Sequence, residues 1–151
     1  MSNKYVHTKG SFSLDKMVES VKHGQDSGKI GALAIFVGVV RGETLGGEKV
    51  QKLEVESYEE NANHVLSCIC QDLKKREGVV DVQIHHFTGD FRVGEDLVYV
   101  LVAGSHRENV FPVLKEAVER YKKEAPIFKK EFVLGEEGEL KAYWVAEKEK
   151  S

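Results

Sequence analysis

The chain has 151 residues, a formal net charge of −3, and is 41% hydrophobic and 31% charged, a balance that fits one globular domain with its own buried core and excludes a disordered chain. The slight acidity excludes nucleic-acid binding driven by bulk charge, so any anion site has to be local. No apolar run is long enough to span a bilayer, the N-terminus has no signal-like apolar stretch, and the two cysteines, Cys68 and Cys70 in "SCICQ", form neither a disulfide framework nor a C-x-x-C metal or redox motif; a soluble cytoplasmic protein is expected.

The segment 1–28 reads as an N-terminal extension holding a short helix, "SLDKMVESVKHG", closed by Gly24. Residues 30–40, "IGALAIFVGVV", are β-rich and lack polar alternation, which predicts a strand covered on both faces. Arg41 ends that run and "RGETLGGE" follows as a mobile glycine loop; it lacks the G-K-[ST] ending of a phosphate-binding P-loop. Residues 49–58 alternate with imperfect apolar parity and predict a half-buried strand. From Glu59 to Glu77, Ala62, Val65, Leu66, Ile69 and Leu73 fall at helical spacing, with Gly78 as the stop. "VVDVQIHHF" places Val80, Val82, Ile84 and His86 on one strand face, "TGDFRVGE" reads as a turn-rich connection, and 96–105 is the strongest strand in the chain.

A helix is predicted from His106 to about Glu124, with Val110, Leu114, Ala117 and Tyr121 on its apolar stripe. Pro126 forbids its continuation, because the residue before a proline is pushed out of helical space. "FKKEFVL" and "LKAYWVA" then close the chain as two strands around "GEEGE". Two strand–strand–helix units with adjacent strands predict an α+β fold, a two-layer sandwich of a mostly antiparallel sheet covered by helices, in one domain over 1–151.

Three places carry charge that needs an explanation. In "AGSHREN", Ser105 and Glu108 fit a capping box, which sets His106 and Arg107 in the first helical turn. Cations there oppose the helix dipole unless an anion is bound beside the free N–H groups. Arg41 stands between a strand and a glycine loop. In "YKKEAPIFKKEF" (121–132), Lys122 and Lys123 suit the negative end of a helix; Lys129 and Lys130 lie beyond the proline and alternate faces. A solvated helix end and an anion-binding active site both remain open on the residues alone. His85 and His86 point to opposite faces of one strand, His7, His23 and His64 show no partner pattern, and no metal site is expected.

Five segments in order, "GALAIFVGVVRG" (31–42), "LEVESYEENA" (53–62), "VQIHHFTGDFRVGE" (82–95), "AGSHREN" (103–109) and "KKEAPIFKKE" (122–131), resemble the large, catalytic subunit family of molybdopterin synthase. The resemblance implies a sulfurtransferase of molybdenum cofactor biosynthesis. It would convert a cyclic pyranopterin monophosphate to molybdopterin with sulfur from the C-terminal thiocarboxylate of a small ubiquitin-like partner ending in Gly-Gly. It also implies a homodimer within a heterotetramer, and no cofactor for this step. By motif position, Lys122 and Lys129 are the implied catalytic residues. Val39, Val40, Arg41, His106, Arg107, Lys130 and Glu131 are the implied substrate contacts. Val39 stands where some relatives carry lysine, so its backbone is the expected contact, and Phe128 replaces a common tryptophan as an apolar wall. The competing readings are a non-catalytic α+β module for an anionic ligand or a partner's tail, and an RNA-binding domain of ferredoxin-like type, which would need the basic, aromatic-studded strand not seen in the sequence.

Overall fold

The two strands with the clearest patterns become the centre of the molecule. In the computed structural model, which describes residues 4–145, β1 is Val6–Thr8, α1 Leu14–Lys22, β2 Ala32–Val39, β3 Lys49–Ser57, α2 Glu59–Leu73, β4 Val79–Phe91, β5 Asp96–Gly104, α3 Arg107–Glu124, β6 Ile127–Leu134 and β7 Leu140–Trp144. The sheet order is β2-β5-β4-β3-β6-β7, antiparallel throughout, with β1 added in parallel to β4. The α+β architecture is as the patterning predicts.

β4 joins two halves of the sheet. Its first part, Val79 to His86, pairs with β5, while Gly89 to Phe91 pairs with β3. Alternation along β4 sends Val82, Ile84 and His86 to one face, and their partners Val102, Val100 and Val98 share it. Helices α2 and α3 cover that face: Ala62, Leu66, Ile69 and Leu73 from α2 and Val110, Val113, Ala117 and Tyr121 from α3 are all buried. Burial at about 25 cal/mol per Å² of apolar surface makes this layer the main stabilising term. Arg120 ties the helices together through Asp72, and Arg76 through Glu116 (2.7 Å).

Several expectations are corrected. β2 is an edge strand, with Ile35 37% and Val39 48% exposed, because a second covering layer, which its apolar run suggested, needs a neighbour that the sequence cannot display. α2 ends at Leu73, short of 77, and Gly78 (φ 75°) serves the turn into β4. "TGDF" is strand rather than turn: Thr88 pairs with Thr8, Gly89 with Val55 and Phe91 with Leu53. Ser105 is not the cap of α3. His106 is the N-cap and makes no side-chain capping bond, while the Ser105 hydroxyl bonds Asn109 Oδ1 (3.1 Å). β1 had no periodic signal. It is held by Asn63 of α2, whose Oδ1 accepts from the N–H groups of Tyr5 (2.7 Å) and Val6 (2.9 Å). The broken parity of β3 is a bulge between Val50 and Lys52, which returns Val50, Leu53 and Val55 to the buried side.

Candidate active site

A cavity of about 270 Å³ opens where the C-terminal end of β2, the start of β5, the last turn of α3 and the middle of β6 meet. Val39, Val40 and Arg41 enter from the end of β2, Lys122 from α3, and Lys129 and Glu131 from β6. A bulge between Gly38 and Val39 bends β2 there. Gly38 leaves the wall open, since a Cβ at this position would meet Val98 Cγ1 at 2.6 Å. The backbone of Val40 is held by the β4–β5 turn, its N–H to Glu95 O (3.0 Å) and its carbonyl to Gly94 N–H (2.9 Å).

The two lysines converge because the chain reverses between them. α3 stops at Glu124; Ala125, the residue before Pro126, is extended (φ −79°, ψ 133°). Pro126 O accepts from Tyr58 N–H (3.2 Å), and β6 then runs back along β3, Val55 opposite Lys129 and Leu53 opposite Glu131. Lys129 and Glu131 share the inner face of β6 by alternation, over apolar Leu53, Leu97 and Val98 in the lining. Lys122 and Lys129 are half-buried, and Arg41 lies exposed at the rim. Three cations and one carboxylate, with apolar residues beside them, line this one cavity and make it locally positive in an acidic protein.

Other expected contacts lie elsewhere. Lys130 is on the outer face of β6, its ammonium 5.4 Å from the Trp144 ring centre and 5.7 Å from that of Phe132. Phe128 shares that outer face and packs edge-on against Tyr58 (5.4 Å), so it is not a wall of the cavity. His106 and Arg107 are exposed at the opposite end of α3, about 22 Å along the helix from Lys122 at 1.5 Å per residue. Tyr121, Phe36, Leu97, Val98 and Val145 line the cavity without having been singled out from the sequence. Tyr121 had a signal, as an apolar-stripe residue beside Lys122, but its stripe read as ordinary core.

Burial pushes the Cys70 thiol up to about 12, which leaves it protonated and unreactive; Cys68 is exposed on α2, 3.7 Å from His64 Nε2. Neither cysteine lines the cavity. Among the described residues, no His, Cys, Asp and Glu side chains group as metal ligands would, and no helix is long and apolar enough to cross a membrane.

The profile of the MoaE protein family matches residues 7–124. The chain belongs to the MoaE protein family. A probable molybdopterin synthase of Haloferax volcanii is 35% identical over 88% of this chain; the match covers 49% of that protein, so the chain spans about half its length. The molybdopterin synthase catalytic subunit of Pyrococcus abyssi is 36% identical over 89% of this chain and 84% of its own length. The molybdopterin synthase structure from Staphylococcus aureus superposes with a TM-score of 0.80 at 26% identity, covering 97% of this chain and 98% of that one. The MoaE family match spans β1 through α3 and stops at residue 124, whereas the Staphylococcus structure covers 97% of the chain.

Proposed function

We propose that this chain is the catalytic subunit of a molybdopterin synthase: a cytoplasmic, single-domain sulfurtransferase that turns a cyclic pyranopterin monophosphate into the dithiolene molybdopterin. The sulfur comes from the C-terminal thiocarboxylate of a small ubiquitin-like partner whose Gly-Gly tail enters the cavity. The observation that carries this reading is the convergence of Lys122 and Lys129, from either side of Pro126, on one cavity with Arg41 at its rim.

The thiocarboxylate sulfur is the nucleophile, so no protein thiol is required, in keeping with cysteines that lie away from the cavity. Lys122 neutralises the thiocarboxylate and the acyl intermediate. Lys129 assists proton transfer and stabilises charge as the cyclic phosphate opens, while Arg41 and the backbone of Val39 and Val40 hold the substrate. Glu131, the carboxylate between the cations, orients Lys129 and the pterin's donors. The test is product formation from the cyclic precursor and thiocarboxylated partner. Lys122→Ala lowers turnover by about a hundredfold or more, the scale of a lost charge-stabilising group, and near-normal turnover would refute the assignment.

The placement of His106 and Arg107 supports a homodimer. One small substrate does not bridge the length of α3, so these residues reach a lysine cavity only from a second protomer. β2 offers the route. Ala32 pairs with Gly104, just before Ser105 and His106, while the Val39 end borders the cavity. Antiparallel pairing of two β2 edges about a two-fold axis sets His106 and Arg107 of each protomer beside the cavity of the other. Lys130 contributes from its outer-face position by fixing the β6–β7 hairpin rather than by touching the substrate.

A further inference from the structure

Of the groups the reaction does not use, one lies directly behind the lysine cavity. His86 is fully buried, and its cross-strand partner Val98 lines the cavity. His86 is fixed on each side. Its backbone N–H donates to Tyr5 O (2.8 Å), its main chain is paired in the β4–β5 ladder, and its Nδ1 bonds Phe87 O at 3.0 Å. A carbonyl can only accept, so Nδ1 is the protonated nitrogen, which sets the orientation of the ring. The ring meets Tyr121 edge-on, with centres 5.7 Å apart and planes at 64°.

Tyr121 is the last buried residue of α3, after Val110, Val113 and Ala117. Tyr121 is among the residues lining the cavity, and its carbonyl accepts the closing helical bond from Ala125 N–H (3.1 Å). Beyond it, the one apolar residue before Pro126 is Ala125, the C-cap, which packs partly buried against the core. The residue after Tyr121 is Lys122. Tyr121 is thus the last buried side chain of α3 before Lys122, and its ring rests edge-on against His86.

We propose that His86 is a positioning residue for Lys122, acting through Tyr121. The histidine touches no substrate; it is a rigid surface under the last turn of α3 that holds the Lys122 ammonium at the height where the acyl group forms. The inference rests on the reading of Lys122 as the lysine beside the thiocarboxylate.

The test compares Tyr121→Leu, His86→Ala and His86→Phe in the assembled enzyme. Tyr121→Leu and His86→Ala lower kcat by about tenfold or more while KM stays within about twofold, as a misplaced catalytic group does. His86→Phe, which restores an aromatic ring against Tyr121, recovers most of that loss. A second readout does not use activity: lysines carrying isotope-labelled methyl groups are followed by NMR, with the Lys122 signal assigned from Lys122→Arg. That signal shifts in Tyr121→Leu and His86→Ala and returns in His86→Phe. An unmoved Lys122 signal in Tyr121→Leu overturns the proposal, whether or not turnover falls; so does unchanged kcat with a folded His86→Ala. Should His86→Ala fail to fold, Tyr121→Leu decides the matter. Should the unaltered enzyme make no product, the functional reading fails, and the lysine spectrum alone decides whether His86 sets Lys122.

Discussion

His85 shows how much of a residue's chemistry depends on what packs around it. It is 6% exposed and stacks on Phe12 at 3.9 Å. Its Nε2 faces Gln83 Oε1 (2.8 Å), an acceptor because the Gln83 amide nitrogen is committed to Asp81 Oδ2 (2.8 Å). His85 Nε2 therefore carries the proton, and Nδ1 accepts from His7 Nε2 at 2.9 Å. Burial, and then the neighbouring His7, hold His85 down to about 3; burial and Lys4 lower His7 as well. The His85 ring stays neutral in the fold where the unfolded chain takes up its proton, below about pH 6.5, and the lowering of His7 acts in the same direction. The stability contributed by His85 is thus complete above that pH and falls as the pH drops from about 6.5 toward 3, by up to about 1.4 kcal/mol per unit. Urea midpoints measured across this range show the acid slope, and His85→Gln makes it shallower; an equally steep slope in the variant would remove His85 as its source. His7 shows no partner in the sequence because 78 residues separate it from His85.

At the scale of elements, the legible parts were those whose cause is local. α3 ends where a proline requires it, β5 is buried along nearly its whole length as its unbroken apolar run suggests, and α1 begins at Ser13, whose hydroxyl accepts from Lys16 N–H (3.2 Å). The misread parts had causes outside their own segments. The strand character of Thr88 to Phe91 comes from β1 and β3 on its edges, and β1 exists because Asn63 satisfies its end. Two outcomes follow. Pro126→Ala frees the Ala125 backbone to turn helical and lets Lys122 and Lys129 drift apart; kcat falls by about tenfold or more while stability changes by only about 0.4–1 kcal/mol, readable from turnover and denaturant midpoint on the same sample. Asn63→Ala leaves the Tyr5 and Val6 N–H groups without that acceptor and costs about 1–3 kcal/mol. Hydrogen exchange then rises first at β1, and an unchanged exchange pattern there would count against the role given to Asn63.

For the molecule as a whole, the open edge of β2 is the feature with the largest consequence. An apolar edge strand is a template for pairing with another chain, and here it runs from the base of His106 to the lysine cavity. In the proposed dimer, Ile35→Asp places a charge on that edge and shifts the protein to monomers in sedimentation. Mixing inactive Arg107→Ala and Lys122→Ala subunits after reversible dissociation restores about a quarter of the sites, because half the dimers are mixed and each holds one intact site. No recovery would mean that both residues serve the same protomer's site. Arg41 and Lys129 stood where local rules gave their charge no full account, whereas Lys122 had a helix-end explanation and, like Glu131, was singled out only by the family resemblance. His106 and Arg107 stood out as candidate anion contacts, but their remoteness from the lysines was not legible, since helix length separates them in space, not in pattern.

The stretch 121–132 draws the division. The sequence alone determined that a helix stops before Pro126, that a strand follows, and that lysines flank the break, because proline geometry and side-chain alternation act over a few residues. Which lysines face the cavity was decided by the tertiary structure. β6 is paired on both sides, with β3 and β7, and that pairing turns Lys129 and Glu131 inward and leaves Lys130 against Phe132 and Trp144. The depth of Lys122 was likewise set outside its own segment, by Tyr121 meeting His86 across the core, 35 residues earlier in the chain. Packing between distant segments has no local signature, and it is that packing which makes a cavity out of a charged helix end.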